Sequence, residues 1–297
     1  MAIKLKRNMR IEVALHMMLR ILLSCLPFIG AGVGGLLDDR SAAVQMTGTT
    51  LAWAVWGTVV IASFISHPIT LTVLRIGTPV VASFMILDIF NQGTTGWQII
   101  SATVSVAVLL LSFSAEIGSI YVQASAYGDE KRFALRPPVV LIAPILLSTL
   151  VADLSIISLP LLIAARNWAV AAVSLAGLYV SAKYLLPKIH LLSRRWLVFV
   201  PAGVVVHDEI VLSTNLMIRK QDLSQIQLAR DNSAAADLSA LTWGVPLEFS
   251  FNKSLDISLT SIGAKHLNTI SAIHAQSVLI ATSRPGSVLS AYNTITV

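Results

Sequence analysis

Pro138-Val139-Val140-Leu141-Ile142-Ala143-Pro144-Ile145-Leu146-Leu147-Ser148-Thr149-Leu150-Val151-Ala152-Asp153-Leu154-Ser155-Ile156-Ile157-Ser158-Leu159-Pro160-Leu161-Leu162-Ile163 decides the fold class. A helix that crosses a bilayer needs about 20 mostly apolar residues. This stretch exceeds that length and carries one charge, Asp153. Three more runs pass the same test, at roughly 43–66, 97–119 and 167–186. Two weaker ones bring the expected spans to six; four spans, with the weaker pair re-entrant or interfacial, would also leave both ends on one side. Segment 17–37 is Gly-rich and contains Arg20; segment 70–90 holds Arg75 near one end and Asp88 near the other. Charges at helix ends can reach the headgroups, so neither segment is excluded.

Composition agrees. Of 297 residues, 55% are hydrophobic and 12% charged, against about 25% charged in an ordinary soluble domain. A plain cytosolic globule, a disordered chain and a coiled coil are excluded. With Cys25 the single cysteine, no internal disulfide framework or cysteine-built zinc cluster can form.

The charge is uneven. Fifteen basic and eight acidic residues precede Leu197, whereas six basic and seven acidic residues follow from it onward. The basic residues flank apolar segments, which is a topology signal. Lys4, Lys6, Arg7 and Arg10, the loop with Lys131, Arg132 and Arg136, and the exit with Lys183, Lys188, Arg194 and Arg195 fall on one side of a six-span path. Arg40 and Arg166 fall on the other. The expected topology is therefore a multi-pass plasma-membrane protein with both termini cytoplasmic. No basic face interleaved with aromatics calls for nucleic acid. Glu12, His16 and Arg20 interrupt the apolar core that a signal peptide requires.

Near residue 196 the period changes. Leu197-Val198-Phe199-Val200 and Val204-Val205-Val206 flank Pro201-Ala202-Gly203, a strand–turn–strand pattern. Phe249 and Phe251, then Leu255, Ile257 and Leu259, alternate with polar residues as half-buried strands do. Trp243-Gly244-Val245-Pro246 and Phe251-Asn252-Lys253-Ser254 read as turns, and 230–237 as a polar loop. Arg284-Pro285-Gly286 opens a short closing helix. The expected fold is a membrane all-α helical bundle of about six transmembrane helices, residues 1–192, followed by a small mainly-β barrel or sandwich domain with a closing helix, residues 193–297.

The run Arg194 to Asp208, the segment Arg219-Lys220-Gln221-Asp222-Leu223-Ser224-Gln225-Ile226 and the ending Ile280 to Tyr292 resemble the opening hairpin, following strand, and last strand with closing helix of bacterial PH-like domains fused to membrane helices. The whole chain resembles multi-pass actinobacterial membrane proteins with such a tail. The resemblance implies a cytoplasmic interaction or assembly module without catalytic residues, and it assigns no functional residue here.

Candidate residues are few. Gly30-Ala31-Gly32-Val33-Gly34-Gly35 fits a dinucleotide fingerprint by letters but lacks the strand, soluble helix and acidic residue that such a site needs. Gly30 and Gly34 instead have small-xxx-small spacing, suited to close helix packing. Asp153 lies deep in its run, where a carboxylate is expensive and is either an ion, proton or substrate site or a neighbour's partner. Arg75 and Glu116 are expected to pair near the inner boundary, and Asp153, in the outer half of its span, to lie near Arg166, with Asp88 near the outer boundary. His207-Asp208, and His266 with His274, lack the further ligands a metal site requires. No G-x-S-x-G elbow or phosphate-binding loop occurs, and no cofactor is expected.

Two functions follow as expectations. The first is a non-enzymatic membrane scaffold, with the lipid bilayer as one partner and either a second copy or a protein bound by the β-domain as the other. The alternative is a small transporter or channel with a regulatory tail.

Overall fold

The computed structural model describes residues 2–29, 37–92 and 95–295. Two compact units emerge. One comprises residues 1–121 and 146–189 and is helical; the other comprises 122–145 and 190–297 and is rich in sheet.

The helical unit begins with α1 (Ala2–Ile29), α2 (Ala42–Phe64) and α3 (Pro68–Gln92). Then come α4 (Gly96–Ser112) and α5 (Ala115–Gln123). After a loop, α6 (Val139–Ala164) leads to α7 (Trp168–Val180), a π-turn (Ser181–Leu185) and α8 (Leu186–Ser193). Among the described residues, five helices are long and apolar enough to cross a membrane. A sixth crossing exists only if α4 and α5, bent by 53° at Phe113-Ser114, count as one. The chain is thus a membrane protein of about five apolar helices and a sheet-rich region.

Two expected spans differ in detail. The first apolar stretch is Ile11–Ile29, not 17–37, and Gly30 and Gly34 lie outside the described residues. The span expected at 97–119 is broken, because Ser114 caps a new helix by accepting from the Ile117 N–H at 3.3 Å. Hydropathy averaged over the run does not register such a cap.

Leu19, Leu23 and Leu26 of α1 pack with Val59, Leu71, Leu74, Val81, Val108 and Ile117 into one core. Val80, Phe84 and Ile157 form a second, smaller one. Small residues set the close approaches. A Cβ on Gly177 would stand 2.6 Å from the Ser155 hydroxyl, and Ser158 and Ser174 share a 2.9 Å hydrogen bond between α6 and α7.

The sheet-rich unit contains β1 (Lys131–Ala134), β2 (Trp196–Val200), β3 (Gly203–His207) and β4 (Leu216–Arg219), an antiparallel sheet in that order. Its second sheet has the order β5-β7-β8-β6, from β5 (Leu223–Leu228), β6 (Ala236–Asp237), β7 (Leu247–Ser258) and β8 (Ala272–Ile280). Here β6 runs parallel to β8. Helix α9 (Ser261–His266) precedes β8, and α10 (Pro285–Ile295) closes the unit with Val288 buried. Alternate residues of the strands fill the core: Leu197, Phe199, Val204, Val206, Phe249 and Ile257.

The predicted hairpin and closing helix are present; the turn predicted at 251–254 is not. Those residues lie inside β7, at a register shift between Ser250 and Leu255 where Asn252, Lys253 and Ser254 are exposed. The bulge is held by Asp222, whose carbonyl accepts from Asn252 N–H at 2.8 Å and whose carboxylate pairs with Lys253 at 3.0 Å.

The least expected element is β1. The change of period predicts one boundary at 192/193, whereas the sheet takes its first strand from the loop before α6. Lys131 pairs with Phe199 and Ala134 with Trp196. Strands that share a ladder share a side of any membrane. The chain between them therefore crosses an even number of times, and α6 with the α7–α8 rod supplies two segments of the necessary length.

Candidate functional site

Helix ends explain the basic residues buried among apolar ones. The last carbonyls of α2 have no helical partner, and hydrocarbon offers no water to replace one. Three side chains cover them. The Ser63 carbonyl is met by His16 Nε2 at 3.2 Å and accepts from Arg20 Nε at 3.0 Å. Tyr121 donates its hydroxyl to the carbonyls of Ala62 at 3.0 Å and Ser63 at 3.2 Å. Arg20 also lies over the Phe64 ring, 5.0 Å from its centroid. Arg20, which the sequence presented as a flaw in the first span, is a cap for the second.

Arg75 plays the same part at the α4–α5 break. Bending there frees the Ser112 carbonyl, and Arg75 Nε donates to it at 3.3 Å while its guanidinium lies 5.7 Å from the Phe113 ring. Thr78 and Ser112 hydroxyls meet at 2.9 Å. The expected Arg75–Glu116 ion pair is not formed. Glu116 sits in the first turn of α5, where the helix dipole favours a carboxylate. Arg75→Ala should therefore cost the helical unit about 1–3 kcal/mol by leaving a buried acceptor unsatisfied. Glu116→Gln should change little. Exchanging the two charges should fail to rescue Arg75→Ala in thermal unfolding, and full rescue would restore the ion-pair reading.

The two aspartates differ. Asp88 is 3% exposed and faces the Gln98 side chain, while its Oδ1, like that of Asp153, is buried without a hydrogen bond. Gln98 in turn accepts from Thr95 in the capping box that opens α4. Asp88 thus braces the α3–α4 connection. Asp153 is 4% exposed, and its Oδ1 is buried without a hydrogen bond. Among the described residues no cation lies within ion-pair distance, and the proximity expected with Arg166 gives no ion pair; Arg166 ends the helix in the left-handed region at φ 56°. An apolar cavity between α1, α2 and α3 is lined by Pro27, Trp53, Trp56 and Phe84, and by none of the acidic candidates. Arg75 and Glu116 thus serve the α4–α5 break, Asp88 faces Gln98, and Asp153 stands without an ion pair.

In the sheet-rich unit the strongest polar feature is Arg195 with Asp208, each 2% exposed. Two bonds of 2.7 and 2.6 Å join them, and Arg195 also donates to the Arg136 carbonyl at 2.7 Å. Counted from sequence as a free basic residue at the last helix exit, Arg195 is a core residue. Beside it, Trp196 stacks on His207 with ring centroids 4.9 Å apart, and the Arg132 guanidinium lies over the Trp196 ring, 5.2 Å from its centroid. His207 Nδ1 meets Asn215 at 2.7 Å, and its Nε2 stands 3.4 Å from Glu209 without a hydrogen bond. The Arg132 guanidinium, then the Tyr127 N–H, hold the Glu130 carboxyl below the usual glutamate range. His266 meets Asp237 at 3.2 Å, and His274 pairs with Asp256. Among the described residues no three potential ligands gather as a metal site would require.

No local pattern marks the capping roles of His16, Arg20 and Tyr121, whose acceptors lie more than 40 residues away. A basic residue opposite a predicted helix end was the available signal. No family model, curated protein or solved structure matches the chain.

Proposed function

We propose that this protein is a non-enzymatic membrane scaffold of the bacterial plasma membrane, whose helices anchor a PH-like interaction module in the cytoplasm. The observation that carries this reading is the ladder between β1 and β2. One strand comes from a loop between membrane segments and the other from the tail, so the module is tied to its anchor by several chain crossings rather than by one linker. That is the construction of a platform held at the membrane. The charge bias assigns it to the cytoplasmic side, because the basic clusters flank its strands. Recognition would use a sheet edge. Strand β4 has β3 as its ladder partner, β7 is closed at its end by Ser213 N–H donating to the Ser258 carbonyl at 3.1 Å, and short of that point a polar groove lined by Asn215, Met217, Asp256 and Ser258 runs between the two strands. The partner is a second copy or another protein that adds a strand there.

Transport is the second reading, and Asp153 is the observation that favours it. The dispersal of Arg20, Arg75 and Asp88 to helix ends and a loop brace weighs against a continuous ion path.

Sided cysteine labelling in a Cys25→Ser background tests the proposal. Arg40→Cys and Ala165→Cys should react from outside, and Glu130→Cys and Arg230→Cys only from the cytoplasm. External labelling at Arg230→Cys would overturn it. In proteoliposomes, ion or proton flux abolished by Asp153→Asn would replace the scaffold with the transporter.

A further inference from the structure

Residues 240–246 form a loop that a soluble protein would not be expected to carry. Leu241, Trp243 and Val245 are 58%, 51% and 53% exposed. Both roots of the loop are firm, with Leu238 and Ala240 buried on one side and Leu247 on the other. Its backbone is unusual. Ala240 and Leu241, neither of them glycine, hold φ of 57° and 59°, and Gly244 holds 77°. Consecutive left-handed residues with side chains persist only where the surroundings enforce them.

The enforcement comes from the segment that opens α6. Arg136 Nη1 donates to the Trp243 carbonyl at 2.7 Å, and the Val139 N–H donates to the Leu241 carbonyl at 3.1 Å. A Cβ on Gly244 would stand 2.6 Å from Arg136 Nη1, so the guanidinium fits against bare backbone. Burial pulls the Arg136 guanidinium below its ordinary value, in keeping with its seat under the loop. Val139 is also the first residue of an apolar span that runs to Ala164, and Val139 and Val140 expose apolar surface from the outset. The hydrogen bond therefore fixes the exposed Leu-Trp-Val trio at the depth where that span begins. Tryptophan and aliphatic side chains beside an arginine are the residue types that partition to a bilayer's headgroup boundary.

We infer that the 241–245 loop is a membrane-interface anchor: Leu241, Trp243 and Val245 insert into the headgroup–acyl boundary of the leaflet in which α6 begins. The ligand is the lipid surface itself. The inference depends on α6 entering the bilayer, and it is independent of what the sheet-rich unit recognises.

The full chain in lipid nanodiscs provides the test. In the Cys25→Ser background, Val245→Cys carries an environment-sensitive fluorophore, and Asn232→Cys, exposed in a different loop, carries the same label as reference. The label at 245 should emit to the blue of the reference and lose severalfold of its quenching by aqueous iodide. Lipids with a nitroxide close to the headgroup should quench it strongly. Adding Trp243→Ser should return the label toward water, and a label at Leu241→Cys should repeat the result of 245. Iodide quenching equal to that at 232 would overturn the inference. So would a blue-shifted label that nitroxide lipids leave bright, which would mean that protein covers the loop.

Discussion

Asp208→Ala should be the most damaging single substitution in the sheet-rich unit. It leaves Arg195, 2% exposed, as a buried cation whose two carboxylate bonds are gone. It also removes the acceptor of the Ile210 N–H, bonded at 3.1 Å. Breaking one side of a buried ion pair typically costs about 3–5 kcal/mol. Because 1.4 kcal/mol is a factor of ten, amides of β2 and β3 should exchange with solvent faster by about two to three and a half powers of ten. Arg195→Met combined with Asp208→Leu should recover part of this, since apolar replacement of both partners removes the uncompensated charge. Recovery should stay incomplete, because the Arg136 carbonyl and the Ile210 N–H lose their partners. Exchange unchanged in Asp208→Ala would mean that the pair contributes nothing to this sheet.

Gly203→Ala should act on the same hairpin by a different route. Gly203 follows the Pro201-Ala202 turn with φ of 153° and pairs with Arg219 across β3–β4. A Cβ there would collide with the Ile218 carbonyl oxygen and lie 2.9 Å from the Arg219 Cα, both backbone atoms of β4 that cannot swing aside. The cost should be about 3 kcal/mol, the upper end for forced overpacking, with β4 losing protection before β2 does. Gly286→Ala is the matched control. Nothing lies within 4 Å of a Cβ at that position in α10, and the change should stabilise by about 0.4–1 kcal/mol through the unfolded chain. Equal losses in the two variants would point to a general intolerance of side chains, not to the β4 backbone.

Much of the architecture was legible from residue order alone. Long apolar runs such as 138–163 can only be buried or span a bilayer, so α2, α6 and α7 were visible without any partner, whereas α3, with Arg75 and Asp88 in its run, was the weaker signal. Alternation at Phe249, Phe251, Leu255 and Ile257 marked a strand because a pleated chain turns every second side chain inward. Polar residues at 252–254 suggested a turn, and only the pairing of β7 with β8 reveals them as a bulge. The candidate site was less legible. Asp153 stood out because a carboxylate among aliphatic residues is costly wherever the chain goes. Arg75 stood out for the same reason, yet the obvious partner, Glu116, was wrong, because the sequence does not announce that a helix breaks at Ser114 and leaves a carbonyl to be capped.

Periodicity and hydropathy are local properties, so the sequence by itself determined that this chain is a membrane protein with a sheet-rich tail. Pairing is not local. That Lys131–Ala134 leaves its loop to become the first strand of the tail's sheet, that Arg195 abandons the basic cluster for Asp208, and that Arg20 reaches the end of another helix depend on groups far apart in the chain. Each satisfies a buried polar atom that its own neighbourhood leaves bare. Only the tertiary structure decides which distant residue does so.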